Sequence, residues 1–141
     1  MTSPNRIDRY PALLAMQAVP LFSHLDFHFT EAGDGWAEIV FEATPKTHNV
    51  YGILHGGVWL MLADAAMGGA LATVAEPDER VITAQSEFRW LRALKGDSIR
   101  VCARVLRRGR TLSHCVADLY DDVGETVGLG TGTYVILPPA D

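Results

Sequence analysis

The chain is expected to fold as an α+β domain in which one long buried helix packs against a strongly curved antiparallel sheet of five to six strands. Three observations carry that expectation. Residues 56–75 form an apolar run with no polar face, the pattern of a helix enclosed on every side. Four segments with strand-like alternation follow it, separated by short turns. One hairpin signal precedes it.

In chain order, Ile7, Tyr10, Leu13 and Leu14 recur at helical spacing, which predicts an amphipathic helix over about residues 6–18, with Pro11 in its first turn and Pro20 ending it. Residues 24–30 alternate as a strand, and Gly33-Asp34-Gly35 turns the chain into a second strand, residues 36–42. A polar connection over residues 44–52 leads into the apolar helix, which Pro77, Asp78 and Glu79 close. Residues 81–91, 98–107, 111–120 and 126–137 then read as strands, with turn chemistry at Lys95-Gly96-Asp97, at Arg108-Gly109-Arg110 and over residues 121–124. Short connections imply antiparallel neighbours. The elements make a single domain of residues 1–141 with its core at about 22–137.

Composition narrows the classes of function. With 48% hydrophobic and 21% charged residues the chain is globular. It shows no secretion-signal layout and no membrane-length apolar run, so a soluble cytoplasmic protein without a membrane partner is expected. Cys102 and Cys115 lie outside any metal-ligand spacing and read as reduced strand residues, and no metal is expected. A net charge of −5 speaks against nucleic-acid binding. The cations are nonetheless concentrated: Arg89, Arg92, Lys95, Arg100, Arg104, Arg107, Arg108 and Arg110 fall in residues 89–110 with Asp97 the only acid among them. That segment is either an anion-attracting region or a solvated outer face of the sheet.

Asp64 stands in the middle of the apolar helix, flanked at helical spacing by Leu60, Met61, Met67 and Gly68, with no basic residue on the helix. A carboxylate there costs several kcal/mol unless it is hydrogen-bonded or faces a wet pocket. Two readings follow: a structural aspartate satisfied by backbone or by a strand hydroxyl, or a base or nucleophile tuned by burial. His55-Gly56-Gly57 stands where the loop enters the same helix. Glycines allow close backbone approach to a ligand, and the first helical N–H groups point outward at the positive end of the dipole, suited to an oxyanion or phosphate.

The run Asn49-Val50-Tyr51-Gly52-Ile53-Leu54-His55-Gly56-Gly57-Val58, followed by Ala63-Asp64-Ala65-Ala66, resembles the signature of the PaaI-type hotdog-fold acyl-CoA thioesterases. Thr83, Phe88, Gly96-Asp97, Gly109-Arg110-Thr111 and Gly130-Thr131-Gly132-Thr133 extend the resemblance more loosely, so that it covers roughly residues 36–136. It implies hydrolysis of a small aromatic or short- to medium-chain acyl-CoA, with coenzyme A part of the substrate and no separate cofactor. It also implies roles: the Gly56 N–H, beside Gly57, polarises the thioester carbonyl, and Asp64 attacks it or activates water. Asn49 binds that water or the carbonyl end, His55 braces the turn or contacts the thioester, and Thr83 orients the carboxylate or water, with Ser86 the second choice.

If Gly56 and Asp64 both act, one chain does not suffice, because eight helical residues separate them by ~12 Å while both must approach one carbonyl. A two-fold homodimer with antiparallel helices brings Gly56 of one chain to Asp64 of the other, twice, and dimers are expected to pair further. Arg107, Arg108 and Arg110, with Arg89 or Arg92, are candidates for the nucleotide phosphates of coenzyme A, since a guanidinium fork matches phosphate geometry. Strand alternation assigns Arg100, Arg104 and Arg108 to the outer face and Val101, Ala103 and Val105 to the inner one. Trp59, Met61, Met67 and Phe88 are candidates for an acyl pocket. Two other activities remain open on the same residues: an acyl-CoA or acyl-carrier hydratase-dehydratase, which sets a histidine against a carboxylate, and a non-catalytic acyl-CoA-binding sensor.

Overall fold

The computed structural model describes residues 6–141. Its N-terminal segment is not one helix. A 3-10 turn, Ile7–Arg9, precedes α1 (Pro11–Gln17), and a second helix, α2 (Pro20–Leu25), follows. Both helices begin on a proline at the first helical position, where the missing N–H has no partner to lose. Pro20, expected to end a helix, therefore starts one. Asp26 closes α2 in the left-handed region at φ 58°. The predicted strand 24–30 is corrected accordingly: His24 and Leu25 are helical, and β1 is His28–Gly33. Phe27 and Phe29 alternate inward across a helix end and a strand start, which imitates a longer strand.

β2 is Trp36–Glu42, joined to β1 through Asp34 and Gly35, the latter at φ 83° as the tight turn demands. α3 runs Gly56–Ala72 and β3 runs Arg80–Trp90. β4 (Ser98–Arg108), β5 (Leu112–Tyr120) and β6 (Thr126–Leu137) complete six strands. All are antiparallel in the order β1-β2-β4-β5-β6-β3. The sheet wraps α3 without closing, and among the described residues β3 forms an edge paired to β6 alone.

α3 can lie close to the sheet because three successive inward positions of β6, Gly128, Gly130 and Gly132, carry no side chain. A Cβ at Gly130 would sit 3.2 Å from that of Ala63, and one at Gly132 would meet the Met67 methyl at 3.2 Å and the Tyr134 ring at 2.7 Å. On the opposite flank the Phe29 ring occupies the space where a side chain at position 69 would go. Thr73 ties the end of α3 to the β1–β2 turn, its hydroxyl donating to the Ala70 carbonyl at 2.6 Å and accepting the Gly35 N–H at 2.8 Å.

The helix is not enclosed on every side. Trp59, Leu62, Ala63, Ala66, Met67 and Leu71 are buried, whereas Leu60, Met61, Asp64, Ala65 and Ala72 are half-buried. The sheet takes one flank and α1 part of another, which leaves Asp64 on the flank that neither covers fully. No helix among the described residues is long and apolar enough to cross a membrane.

Candidate active site

At the N-terminal end of α3 the chain braces itself. The Asn49 side-chain oxygen accepts the N–H groups of Tyr51 at 2.9 Å and Ile53 at 3.4 Å, so it holds a tight loop with Gly52 at φ 75°. His55 caps the helix: its Nδ1 accepts the Gly57 N–H at 2.9 Å, so that nitrogen is the unprotonated one. The Gly57 N–H is thus occupied within the chain. The Gly56 N–H has no hydrogen-bond partner among the described residues, while the Gly56 carbonyl accepts the Trp90 indole N–H at 3.2 Å. A Cβ at Gly56 would find nothing nearer than that indole at 3.6 Å, so packing within the chain does not demand glycine there.

Two turns further along, Asp64 is held by residues distant in sequence. Its Oδ1 accepts the Thr83 hydroxyl at 2.9 Å and lies 2.8 Å from the Tyr134 hydroxyl, which also approaches the Asp64 carbonyl at 3.1 Å. Both side-chain donors converge on one carboxylate oxygen. Oδ2 has no donor among the described residues, and Asp64 lines a cavity of about 770 Å³ between α1, the second half of α3 and the start of β3. Burial above all, then the charge of Asp64 and its hydrogen bond, push the Tyr134 phenol far above its ordinary range and keep it a donor.

Strand register makes this arrangement. Thr83 pairs with Tyr134, Tyr134 with Ser113, and Ser113 with Arg108, which forms one row across β3, β6, β5 and β4. A bulge between Val105 and Arg107 shifts the parity of β4, so Arg108 leaves the outer face assigned to it by alternation. Its guanidinium instead grips Glu79 at 2.6 Å and the Gly109 carbonyl at 2.7 Å, half-buried. Arg100 keeps the expected outer position, beside Glu38 and over the Tyr120 ring.

The predicted residues therefore separate into groups. Asp64 and Thr83 come together; Asn49, His55, Gly56 and Gly57 form the loop and helix start. Ser86 lies further along β3, its hydroxyl 3.5 Å from the Thr131 carbonyl, and does not reach Asp64. Trp59 and Met67 belong to the core, 5% and 0% exposed, and Phe88 packs edge-on between Trp59 and Trp90; none of them lines the cavity at Asp64. The arginines are split. Arg107 and Arg110 are exposed near the β4–β5 turn, whereas Arg89 lies at the far end of β3, paired with Leu129, and Arg92 beyond it pairs with Glu125 at 3.2 Å. Tyr134 was not among the expected residues. Its signal is the parity of β6, where Gly128, Gly130 and Gly132 share an inward face whose next member is a tyrosine.

A helix wrapped by a six-stranded antiparallel sheet, with a carboxylate in mid-helix and a free amide at its start, is the hotdog architecture. The chain belongs to the Thioesterase superfamily, whose model matches residues 51–127. It is 29% identical over 115 residues to the proofreading thioesterase EntH of Cronobacter turicensis, covering 80% of this chain and 82% of that one. It is 25% identical over 115 residues to the 1,4-dihydroxy-2-naphthoyl-CoA hydrolase of Escherichia coli, covering 80% and 83%. The structure of the E. coli PaaI protein from the phenylacetic acid degradation operon superposes with a TM-score of 0.84 at 19% identity, covering 98% of this chain and 99% of that one.

Proposed function

We propose that this chain hydrolyses acyl-CoA thioesters of small aromatic or short- to medium-chain acids, with Asp64 as the reacting carboxylate and the Gly56 N–H of a second copy as the oxyanion donor. The observation that carries the reading is the convergence of Thr83 and Tyr134 on one oxygen of Asp64, which leaves the other oxygen at a cavity wall. Asp121 also takes both its donors on Oδ1, but its Oδ2 is buried, whereas Asp64 lines a cavity. In one course Oδ2 takes a proton from water as the water oxygen bonds to the carbonyl carbon; the C–S bond then breaks and the proton passes to the departing thiolate. In the other, Oδ2 itself bonds to the carbon, thiolate leaves, and water cleaves the resulting anhydride. Label from water found in the enzyme after a single turnover identifies the second course, with water attacking the aspartyl carbon of the anhydride, and trapping of the acyl-enzyme with hydroxylamine identifies it when water attacks the acyl carbon.

The need for a second copy rests on helical geometry, because ~12 Å separates the two ends of the site on one chain. The edge strand β3 supports it. Among the described residues no strand lies beside its outer backbone groups, and it exposes Ile82 next to Thr83 and Trp90 at its far end, 48% and 52%. A homodimer formed along that edge, with dimers pairing further, is part of the proposal. So is cytoplasmic residence, in keeping with Cys102 and Cys115 as free thiols. The nucleotide of coenzyme A is assigned to the exposed Arg107 and Arg110 rather than to Arg108, whose guanidinium is already engaged. Release of free thiol from a panel of phenylacetyl-, hydroxybenzoyl-, short- and long-chain acyl-CoA esters tests the activity, with Asp64→Asn as control. A variant as active as the wild type on its best ester removes the assignment.

A further inference from the structure

The cavity that Asp64 lines extends away from it along α3, and the proposed chemistry does not by itself say what fills it. Resting on the thioesterase reading above, we propose that this cavity is the acyl pocket, that helix α1 is its outer wall, and that it admits uncharged acyl groups while rejecting those ending in a carboxylate. A thioester whose carbonyl carbon sits at Oδ2 of Asp64 has two arms, and the coenzyme arm is too large and too charged for a largely apolar cleft. The other arm is the acyl group, and the cavity is continuous with that carbon's position. At about 770 Å³ it lies in the range of small-molecule sites and exceeds what an acetyl group would fill.

Its walls are built for room. α3 contributes Ala65, Gly68 and Ala72 from one face, and α1 opposes them with Ala12 and Ala15. A Cβ at Gly68 would meet only the Tyr134 ring at 3.7 Å and the Met16 methyl at 3.8 Å, ordinary contact distances, so glycine there enlarges the space and answers no steric need. α1 is a fixed wall. Leu13 is wholly buried, the Tyr10 hydroxyl donates to Asp34 at 2.6 Å, and the Gln17 side-chain oxygen accepts the Phe29 N–H at 3.1 Å.

The end remote from Asp64 is acidic. Glu76, Asp78 and Glu79 line it, and the Arg108 guanidinium neutralises Glu79 alone. An acyl chain ending in a carboxylate would bring a further negative charge between that rim and Asp64, and like charges in a partly desolvated site repel.

The test is a chain-length profile, read as kcat/KM for thiol release from straight-chain acyl-CoA esters, for wild type, Ala15→Phe and Ala72→Leu. Each variant fills the cavity from a different wall, and matching thermal melts show which is folded. The expected result is a loss of about tenfold or more on the longest ester the wild type handles well, with less than about twofold change on a two- to four-carbon ester. In parallel, glutaryl-CoA should be hydrolysed at least about tenfold less efficiently than pentanoyl-CoA by the wild type, a gap that Glu76→Gln with Asp78→Asn narrows. Thiol release with an unchanged length profile in both folded variants overturns the pocket assignment while leaving the thioesterase reading in place. Equal turnover of the glutaryl and pentanoyl esters overturns the charge selection. Failure of the wild type to release thiol from any ester overturns the thioesterase reading, and the pocket falls with it.

Discussion

At the start of α3 the turn is shaped by local contacts, with the Trp90 indole added on the Gly56 carbonyl: Asn49 holds its own loop, His55 caps the next turn, and the Gly56 N–H is left outward. Eight residues later nothing local supports Asp64. Its partners arrive from β3 and β6, nineteen and seventy residues away in sequence, through strand register. The first region takes most of its shape from its own loop. The second exists only when the whole sheet is in register, so damage to the two should have different signatures.

The largest effect is expected at Asp64. Asp64→Asn keeps the shape and can still accept from Thr83 and Tyr134, but it offers neither a base nor a good nucleophile. Steady-state assays should show kcat lowered by about 10²–10⁴-fold at a melting temperature near that of the wild type. Gly56→Ala comes next and isolates the local region. Because a Cβ meets only the Trp90 indole at 3.6 Å, the monomer fold should tolerate it, whereas a thioester oxygen approaching that amide would be displaced, with kcat down about 10²-fold. An unaltered kcat in a folded variant would remove the amide from the site.

The same contrast governs what could be read before the structure was known. The loop motif and the mid-helix acid were legible because each is written in consecutive residues, and β2 and β6 match their predicted bounds for the same reason, clean alternation between turn signals. Thr83 was legible through the family resemblance, which reaches the start of the strand after α3. Tyr134 was not, since its approach to Asp64 depends on two strand pairings and on the glycines that let α3 settle onto β6. Arg108 was misplaced because a bulge is a one-residue insertion in the pairing, which alternation along a single strand does not reveal. Pro20 shows a milder ambiguity: proline both stops a preceding helix and suits the first position of a new one.

Tyr134→Phe probes the register-built region with little change of shape. Removal of the hydroxyl leaves Thr83 as the one side-chain donor to Oδ1, so the carboxylate gains freedom to rotate. We expect kcat to fall about tenfold with KM held within twofold, the pattern of an interaction that matters most in the transition state. Stability should drop by about 1.5–3 kcal/mol, the range for a hydrogen bond to a charged group, measured by urea denaturation. A rise in KM at constant kcat would instead assign the hydroxyl to ground-state binding.

The smallest change in turnover is expected at Arg108, the last member of the row that begins at Thr83. Its guanidinium fastens Glu79, whose Oε1 also accepts the Glu76 N–H at 2.7 Å, so the ion pair anchors the loop between α3 and β3. With both side chains partly exposed, at 27% and 19%, the loss on Arg108→Ala should be about 1 kcal/mol, nearer to a surface pair than to a buried one. KM for acyl-CoA should stay within about twofold, because the side chain is committed to the loop, whereas Arg107→Ala with Arg110→Ala should raise it several-fold and more steeply at low salt. If Arg108→Ala alone raises KM for acyl-CoA but not for an acyl-pantetheine ester, the guanidinium leaves Glu79 to meet the nucleotide, and the row across the sheet ends in a substrate contact instead of a clamp.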